Sequence, residues 1–340
     1  MEPSSPSSDS SAVARSHALR GCAFILGMAA VVGVQAQAPV GAYPNRPVRL
    51  VVPYAPGGNI DITGRIVAPA MSDALGVSFV VDNRAGAGGA IGSELVAKAS
   101  PDGYTVLVAS TGSTSGLAAL YPKLPYDPVR DFAPIGLVSN VPIVVVVTPG
   151  LPARNIKEFI AIAKAKPGHI TYGSGGTGTT NHLAAALFEI SAGVKLTHVP
   201  YKGMGPATVD LMGGQIDVGF DQLSAAIAFI KSGKTRALAL ASPTRSKTLP
   251  GLPTLAESGV TGADASTFTG ILAPAKTPGD IVAKLSAALV KSLKSDAVRE
   301  RFDTLGAEVW SSTPEQLGQF IKDDLAKWSK VVKTAGIKVE

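Results

Sequence analysis

Cysteine is almost missing from this chain. Cys22 is the single one among 340 residues, so neither a disulfide framework nor paired-thiol chemistry is available. Charge is sparse at 16% of residues and aromatics make up only 6%. The basic residues are dispersed, with no lysine–arginine block interleaved with aromatics, and nucleic-acid binding is not expected. Long apolar runs are lacking too. The uncharged stretch Gly21–Val34 falls short of the ~20 residues a membrane-spanning helix needs, and no other run approaches that length. His169, His182 and His198 do not have metal-ligand spacing and no cysteine supports them, so no metal is expected.

What the first segment does contain is ordered like a signal peptide. Arg15 and Arg20 precede the uncharged run, and Gln35-Ala36-Gln37-Ala38 follows it with small residues spaced for a signal peptidase. Residues 1–38 are therefore expected to be removed, with the cut after Ala36 or Ala38, and the mature chain is expected in the periplasm. A lipid anchor on Cys22 is not expected, because Arg20 sits two residues before it and the apolar run comes after. Loss of this segment removes two acids and two bases and leaves the net charge at +6. Such a mild positive field favours an anionic solute without specifying one.

The remaining ~300 residues suggest two domains. Apolar strand-like runs alternate with amphipathic stretches: Val48–Tyr54, then Ile60–Leu75; Ser78–Asp82, then a helix to about Ala99; His169–Tyr172, then Asn181–Ala192. The valine run Pro142–Thr148 reads as a central buried strand. Alternation of this kind predicts an α/β fold with parallel sheets, whose ligands sit beyond the carboxyl ends of the strands.

Two glycine-rich loops stand at such ends. One is Ala55-Pro56-Gly57-Gly58-Asn59-Ile60-Asp61; the other is Gly173-Ser174-Gly175-Gly176-Thr177-Gly178-Thr179-Thr180. A glycine turn leading into a helix aims free N–H groups and a partial positive charge at one point. Two such turns facing across a cleft would hold a small anion. One carboxylate is expected on the N–H groups of Ala55–Asn59, with Gly57 and Gly58 allowing close approach and positive φ. The other end of the solute is expected on Ser174, Gly175, Thr177 and Thr180. Tyr54 and Tyr201 are expected as cleft walls, and Ser110, Thr111 and His182 complete the contact set. Asp61 reads either as a first-turn acid bonding its own loop or as a partner for a solute amine, and Asp221 has the same ambiguity.

Catalytic readings fare worse. Gly173-x-Gly175-x-x-Gly178 matches a dinucleotide fingerprint by letter, but the next strand ends Val199-Pro200-Tyr201-Lys202 without the acid that holds a ribose. Neither loop ends in the Gly-Lys-Ser/Thr of a phosphate cradle. Ser174 lacks the first glycine of a nucleophile elbow, so a Ser174–His182–Asp221 triad is not favoured over simple hydrogen bonding. An enzyme is not expected.

The residues then carry a specific resemblance. Val52-Pro53-Tyr54-Ala55-Pro56-Gly57-Gly58 with Asp61, Val81-Asp82-Asn83-Arg84 with Gly86-Ala87-Gly88-Gly89, Ala99-Ser100-Pro101-Asp102-Gly103-Tyr104-Thr105, Leu124-Pro125-Tyr126-Asp127-Pro128, Tyr172-Gly173-Ser174-Gly175 with His182-Leu183, His198-Val199-Pro200-Tyr201-Lys202-Gly203 and Leu249-Pro250-Gly251-Leu252-Pro253-Thr254 occur in order. Together with Lys327-Trp328 they resemble the periplasmic solute receptors of tripartite tricarboxylate transporters, over nearly the whole mature chain. Phe268 stands where such receptors often carry Trp. The resemblance implies a type II periplasmic-binding-protein architecture: two α/β domains closing on a ligand cleft in the manner of a Venus flytrap. It places residues 43–140 plus 243–340 in one domain and 141–242 in the other, hinged at Val141–Thr148 and Arg236–Ala241. It also implies a small carboxylate solute, integral-membrane permease subunits as partners, a monomer and no cofactor. A periplasmic sensor that presents the bound solute to a signalling receptor would use the same cleft, and the sequence does not name the solute.

Overall fold

The computed structural model describes residues 43–337, so the expected signal peptide lies outside the described residues. The chain runs β1 (Val48–Val52), α1 (Asn59–Leu75), β2 (Phe79–Asn83), α2 (Ala90–Ala97), β3 (Thr105–Ser110) and a one-turn α3 (Leu117–Leu120) into a 16-residue β4 (Phe132–Val147). There follow α4 (Ile156–Ala165), β5 (Thr171–Ser174), α5 (Thr180–Ala192), β6 (Thr197–Pro200), α6 (Met204–Met212), β7 (Val218–Gln222), α7 (Leu223–Lys231) and β8 (Arg236–Ala241). The last stretch holds β9 (Ser266–Pro274), α8 (Gly279–Leu293), α9 (Asp296–Thr304), β10 (Glu308–Val309) and α10 (Pro314–Ala335).

Two sheets result, and β4 belongs to both. In the first sheet β2, β1 and β3 run parallel, while β9 pairs antiparallel with β3 and with β4 from Phe132 to Pro142. In the second, β6, β5 and β7 run parallel, and β4 from Ile143 to Val147 is antiparallel to β7 and β8. The parallel βαβ units thus lie as the alternating pattern predicts, but the strands that join the sheets are antiparallel. The half Phe132–Asn140 escapes the sequence reading because Pro134, Gly136, Ser139 and Asn140 interrupt its apolar pattern, and the pairing with β9 shifts register at two places there. Helix α9 is also unforeseen, since only Val298 and Phe302 of its nine residues are buried.

Each sheet carries its own packing. Val48, Leu50, Val52, Val106 and Val108 meet Ile66, Val67 and Met71 of α1 around the first sheet. Val145, Val147, Tyr172, Phe159, Phe188 and Phe220 form the centre of the second. The C-terminal helix joins the two: Leu317 and Ile321 pack with Leu107 and Leu272, whereas Trp328 and Val332 pack with the second sheet's cluster. A capping box starts this helix, the Thr313 side chain accepting from Gln316 N–H and the Gln316 side chain accepting from Thr313 N–H.

Candidate functional site

Four helices begin at one place between the sheets. The first turns of α1, α5, α6 and α7 supply Gly58, Asn59 and Ile60, Thr179, Thr180 and Asn181, Met204, and Gln222 to the wall of a single cavity. Tyr54, Ser110, Gly175 and Thr267 complete it. None of the four N-termini has a side-chain cap. In α1 the first intrahelical bond is from Ile62 to Gly58, and in α5 from Leu183 to Thr179, so the N–H groups of Asn59–Asp61 and Thr180–His182 have no intrahelical acceptor. Not one of the lining residues is charged. The space enclosed is about 30 Å³, room for roughly two water molecules.

Glycines bring the loops this close. A Cβ on Gly205 would stand 2.1 Å from Pro56 O, one on Gly88 2.4 Å from Thr177 O, and one on Gly116 2.3 Å from Gly178 O. Ala55 N–H donates to Lys202 O at 3.0 Å across the same seam. Gly57 has the expected positive φ of 90°, but Gly58 has φ −85°, and a Cβ there would meet Met204 at an ordinary 3.8 Å. Close approach is therefore demanded of Gly205, in the first turn of the facing helix α6.

The expected site residues divide into two groups. Tyr54, Gly58, Asn59, Ser110, Gly175 and Thr180 line the cavity. Asn59 is 2% exposed; its Oδ1 accepts from Ser224 Oγ at 2.6 Å, while its Nδ2 is buried without a partner. Ala55, Gly57, Asp61, Thr111, Ser174, Thr177, His182, Tyr201 and Asp221 stand behind the wall. Asp61 serves its own loop, accepting from Gly57 N–H and Asn83 Nδ2 at 3.0 Å and from Arg65 Nη2 at 2.9 Å. Burial pushes its carboxyl up, but those bonds and the Arg65 charge outweigh burial and hold it below the ordinary 3.8. Tyr201 donates to Asp210 Oδ2 at 2.6 Å.

Ser174 is fully buried and faces inward. Its Oγ lies 2.6 Å from His198 Nε2 and accepts from Gly176 N–H at 3.1 Å. His182 Nδ1 accepts from Gly178 N–H at 3.2 Å, and its ring stacks on His198 with centroids 4.3 Å apart. These two amides of the second loop are thus spent on holding the loop itself. Burial lowers His182 to about 4; burial and the neighbouring His182 lower His198 to about 3, so both rings are neutral at pH 7. Asp221, 1% exposed, accepts from Gln222 N–H at 2.8 Å and Thr208 Oγ1 at 3.2 Å, and burial raises it to about 7. It is next to the cavity wall but not part of it. No Ser–His–Asp arrangement forms, because Ser174 meets His198, and Asp221 hydrogen-bonds neither His182 nor His198. Among the described residues no group of three or more His, Cys, Asp or Glu is placed to hold a metal.

Ile60, Thr179, Asn181, Met204, Gln222 and Thr267 are wall residues that the sequence reading missed. Thr179 and Asn181 flank Thr180, and Met204 follows Gly203 at a helix start, so placing the helix N-termini is the signal that finds them.

Known proteins share this fold. The family model for tripartite tricarboxylate transporter family receptors matches residues 63–337. Protein BugT of Bordetella pertussis is 38% identical over 312 residues, 92% of this chain and 96% of that protein. A protein of R. palustris solved with adipate superposes with a TM-score of 0.85 at 36% identity, covering 87% of this chain and 99% of that one. MatC from Rhodopseudomonas palustris, solved with bound malate, gives a TM-score of 0.83 at 34% identity over 85% of this chain and 100% of its own.

Proposed function

This chain belongs to the tripartite tricarboxylate transporter receptor family, and from that premise we propose that it is an exported, non-enzymatic receptor that clamps a small carboxylate and delivers it to integral-membrane permease subunits. The observation that carries the proposal is the meeting of four uncapped helix N-termini at a cavity without a charged side chain, beside the unpartnered Nδ2 of Asn59. Backbone donors and helix dipoles bind an oxyanion without a compensating cation. Relatives solved with adipate and malate support a dicarboxylate as the solute.

The clamp works by closure. About residues 43–140 with 243–340 move as one body and 141–242 as the other, pivoting where β4 passes between the sheets. An open cleft admits the solute to the first turn of α1. Closure then brings α5, α6 and α7 onto it and makes the Ala55–Lys202 and Asn59–Ser224 bonds. The proposal is tested by thermal shift against a carboxylate panel. A true ligand at 100 times its dissociation constant adds about 2.7 kcal/mol of stability. A panel of mono-, di- and tricarboxylates that produces neither a shift nor calorimetric heat would refute it.

A further inference from the structure

The strand directions of the second sheet gather its turns at one end. β4 finishes with Val147 opposite Val218 of β7 and Arg236 of β8, both antiparallel to it. β5 runs parallel to β7, and β6 to β5. All four strands therefore start where β4 finishes. The carboxyl ends of β5 and β7 lead to the cavity wall at Gly175 and Gln222, so these starts lie at the opposite end of the sheet. Hydrogen bonds draw the turns there together. Gly168 N–H donates to Lys195 O at 2.8 Å and Thr148 N–H to Asp217 O at 3.0 Å. Arg236 Nη1 donates to Leu151 O and Ala153 O at 3.1 Å.

This end is rich in unpaired cations. Arg154, Lys164, Lys166, Lys195, Lys231 and Lys234 stand exposed on its turns and on the helix ends beside them. None of them forms an ion pair among the described residues. The neighbouring acids serve backbone amides instead: at 2.7 Å each, Asp217 accepts from Thr171 N–H, Glu189 from Leu196 N–H and Glu158 from Arg154 N–H. Residues 141–242 hold nine bases and five acids, and so carry +4 of the mature chain's +6. The carboxyl ends of α4, α5 and α7 favour cations beside them, which explains where these lysines branch off but leaves their ammonium groups in water.

An acidic protein surface and an anionic bilayer both attract such a cluster. Protein interfaces are enriched in aromatic residues and arginine and depleted in lysine. The turns 148–155, 165–170, 193–196, 213–217 and 231–235 contain no Phe, Tyr or Trp, and their one arginine is Arg154. Flexible lysine stems spread over several turns suit a diffuse layer of phosphate charge, which demands no fixed pocket. We propose that this end of the second sheet docks on an anionic phospholipid bilayer, holding the exported receptor at a membrane by the end opposite its cleft. Lipid and solute then bind independently.

The test is co-sedimentation of the mature protein with phosphatidylcholine vesicles, with and without phosphatidylglycerol, at ~0.1 M salt, where charges are screened over about 10 Å. Binding is expected on the anionic vesicles alone, and it should fall as salt rises to ~0.5 M. Lys166→Gln, Lys195→Gln and Lys234→Gln together should weaken it about a hundredfold, roughly fivefold per charge. Arginine at the same three positions should keep the parental affinity, which separates charge from folding. Lys276→Gln, Lys291→Gln and Lys294→Gln together remove the same net charge from exposed positions outside residues 141–242, and should change binding less than about threefold. No binding to anionic vesicles at ~0.1 M salt, equal binding to neutral ones, or equal losses in the two glutamine triples overturns the proposal. None of these outcomes bears on the carboxylate reading, which rests on the cavity at the other end of the sheet.

Discussion

Gly205→Ala is the perturbation that most cleanly separates closure from folding. Gly205 is the second residue of α6 with no positive φ, so alanine suits its backbone and the helix. The added Cβ would nevertheless stand 2.1 Å from the carbonyl oxygen of Pro56. Carbon and oxygen approach to about 3.3 Å even in weak C–H···O contacts, so the seam must open by roughly 1.2 Å. A hydrogen bond of ordinary length is lost at that displacement. If two or three bonds to the solute span the seam, at about 0.5–1.5 kcal/mol each, binding weakens by about 1–4 kcal/mol. That is roughly fivefold to nearly a thousandfold in Kd. Because Pro56 and Gly205 meet at a loop seam, the melting temperature without solute should stay near that of the parent. Gly213→Ala, at the other end of the same helix, meets only Val209 O at 3.5 Å and Asp210 O at 3.7 Å and serves as the control. Calorimetry with the tightest carboxylate of the panel reads the effect. Parental affinity in Gly205→Ala would refute the closed seam as the binding state.

Two further predictions concern pH. Both histidines of the stacked pair have depressed pKa values, so the folded chain binds fewer protons than the unfolded one. Their contribution to stability is complete above the ordinary 6.5 and is lost as pH falls from there toward about 4. Melting temperature should drop over that range and drop less in His198→Asn; a parent curve as flat as the variant's would contradict this. Asp221 behaves in the opposite sense. Its raised pKa gives stability that is complete below the ordinary 3.8 and is lost as pH rises through about 7. Asp221→Asn should therefore raise the melting temperature at pH 8, change it little at pH 4, and leave solute affinity within about threefold, roughly 0.7 kcal/mol. Equal destabilisation at both pH values would contradict the raised pKa of Asp221, and loss of binding would show that its carboxylate touches the solute.

The parallel βαβ units were legible because period and glycine punctuation are local signals, as at Val48–Val52 leading through Gly57-Gly58 to α1. The long β4 was not, because only its valine half advertises itself. Residues of both loops line the one cavity, but the direction of individual side chains was not readable. Ser174 looks like a ligand hydroxyl by position, yet it turns inward to His198, a partner 24 residues away that no spacing rule connects. Asp61 likewise spends its oxygens on Gly57, Arg65 and Asn83. Asn59 was noticed for its backbone, whereas its side chain becomes informative only once Ser224, 165 residues away, is seen to hold it.

The central claim is that backbone donors at converging helix starts hold the solute. A crystal structure of the mature protein with its tightest carboxylate tests this most directly. The account predicts a carboxylate oxygen within hydrogen-bond distance of the N–H groups that open α1, α5 and α6, at Asn59–Ile60, Thr180–Asn181 and Met204. A solute anchored instead on Asp61, Tyr201 or Asp221, or one bound outside this cavity, would contradict it.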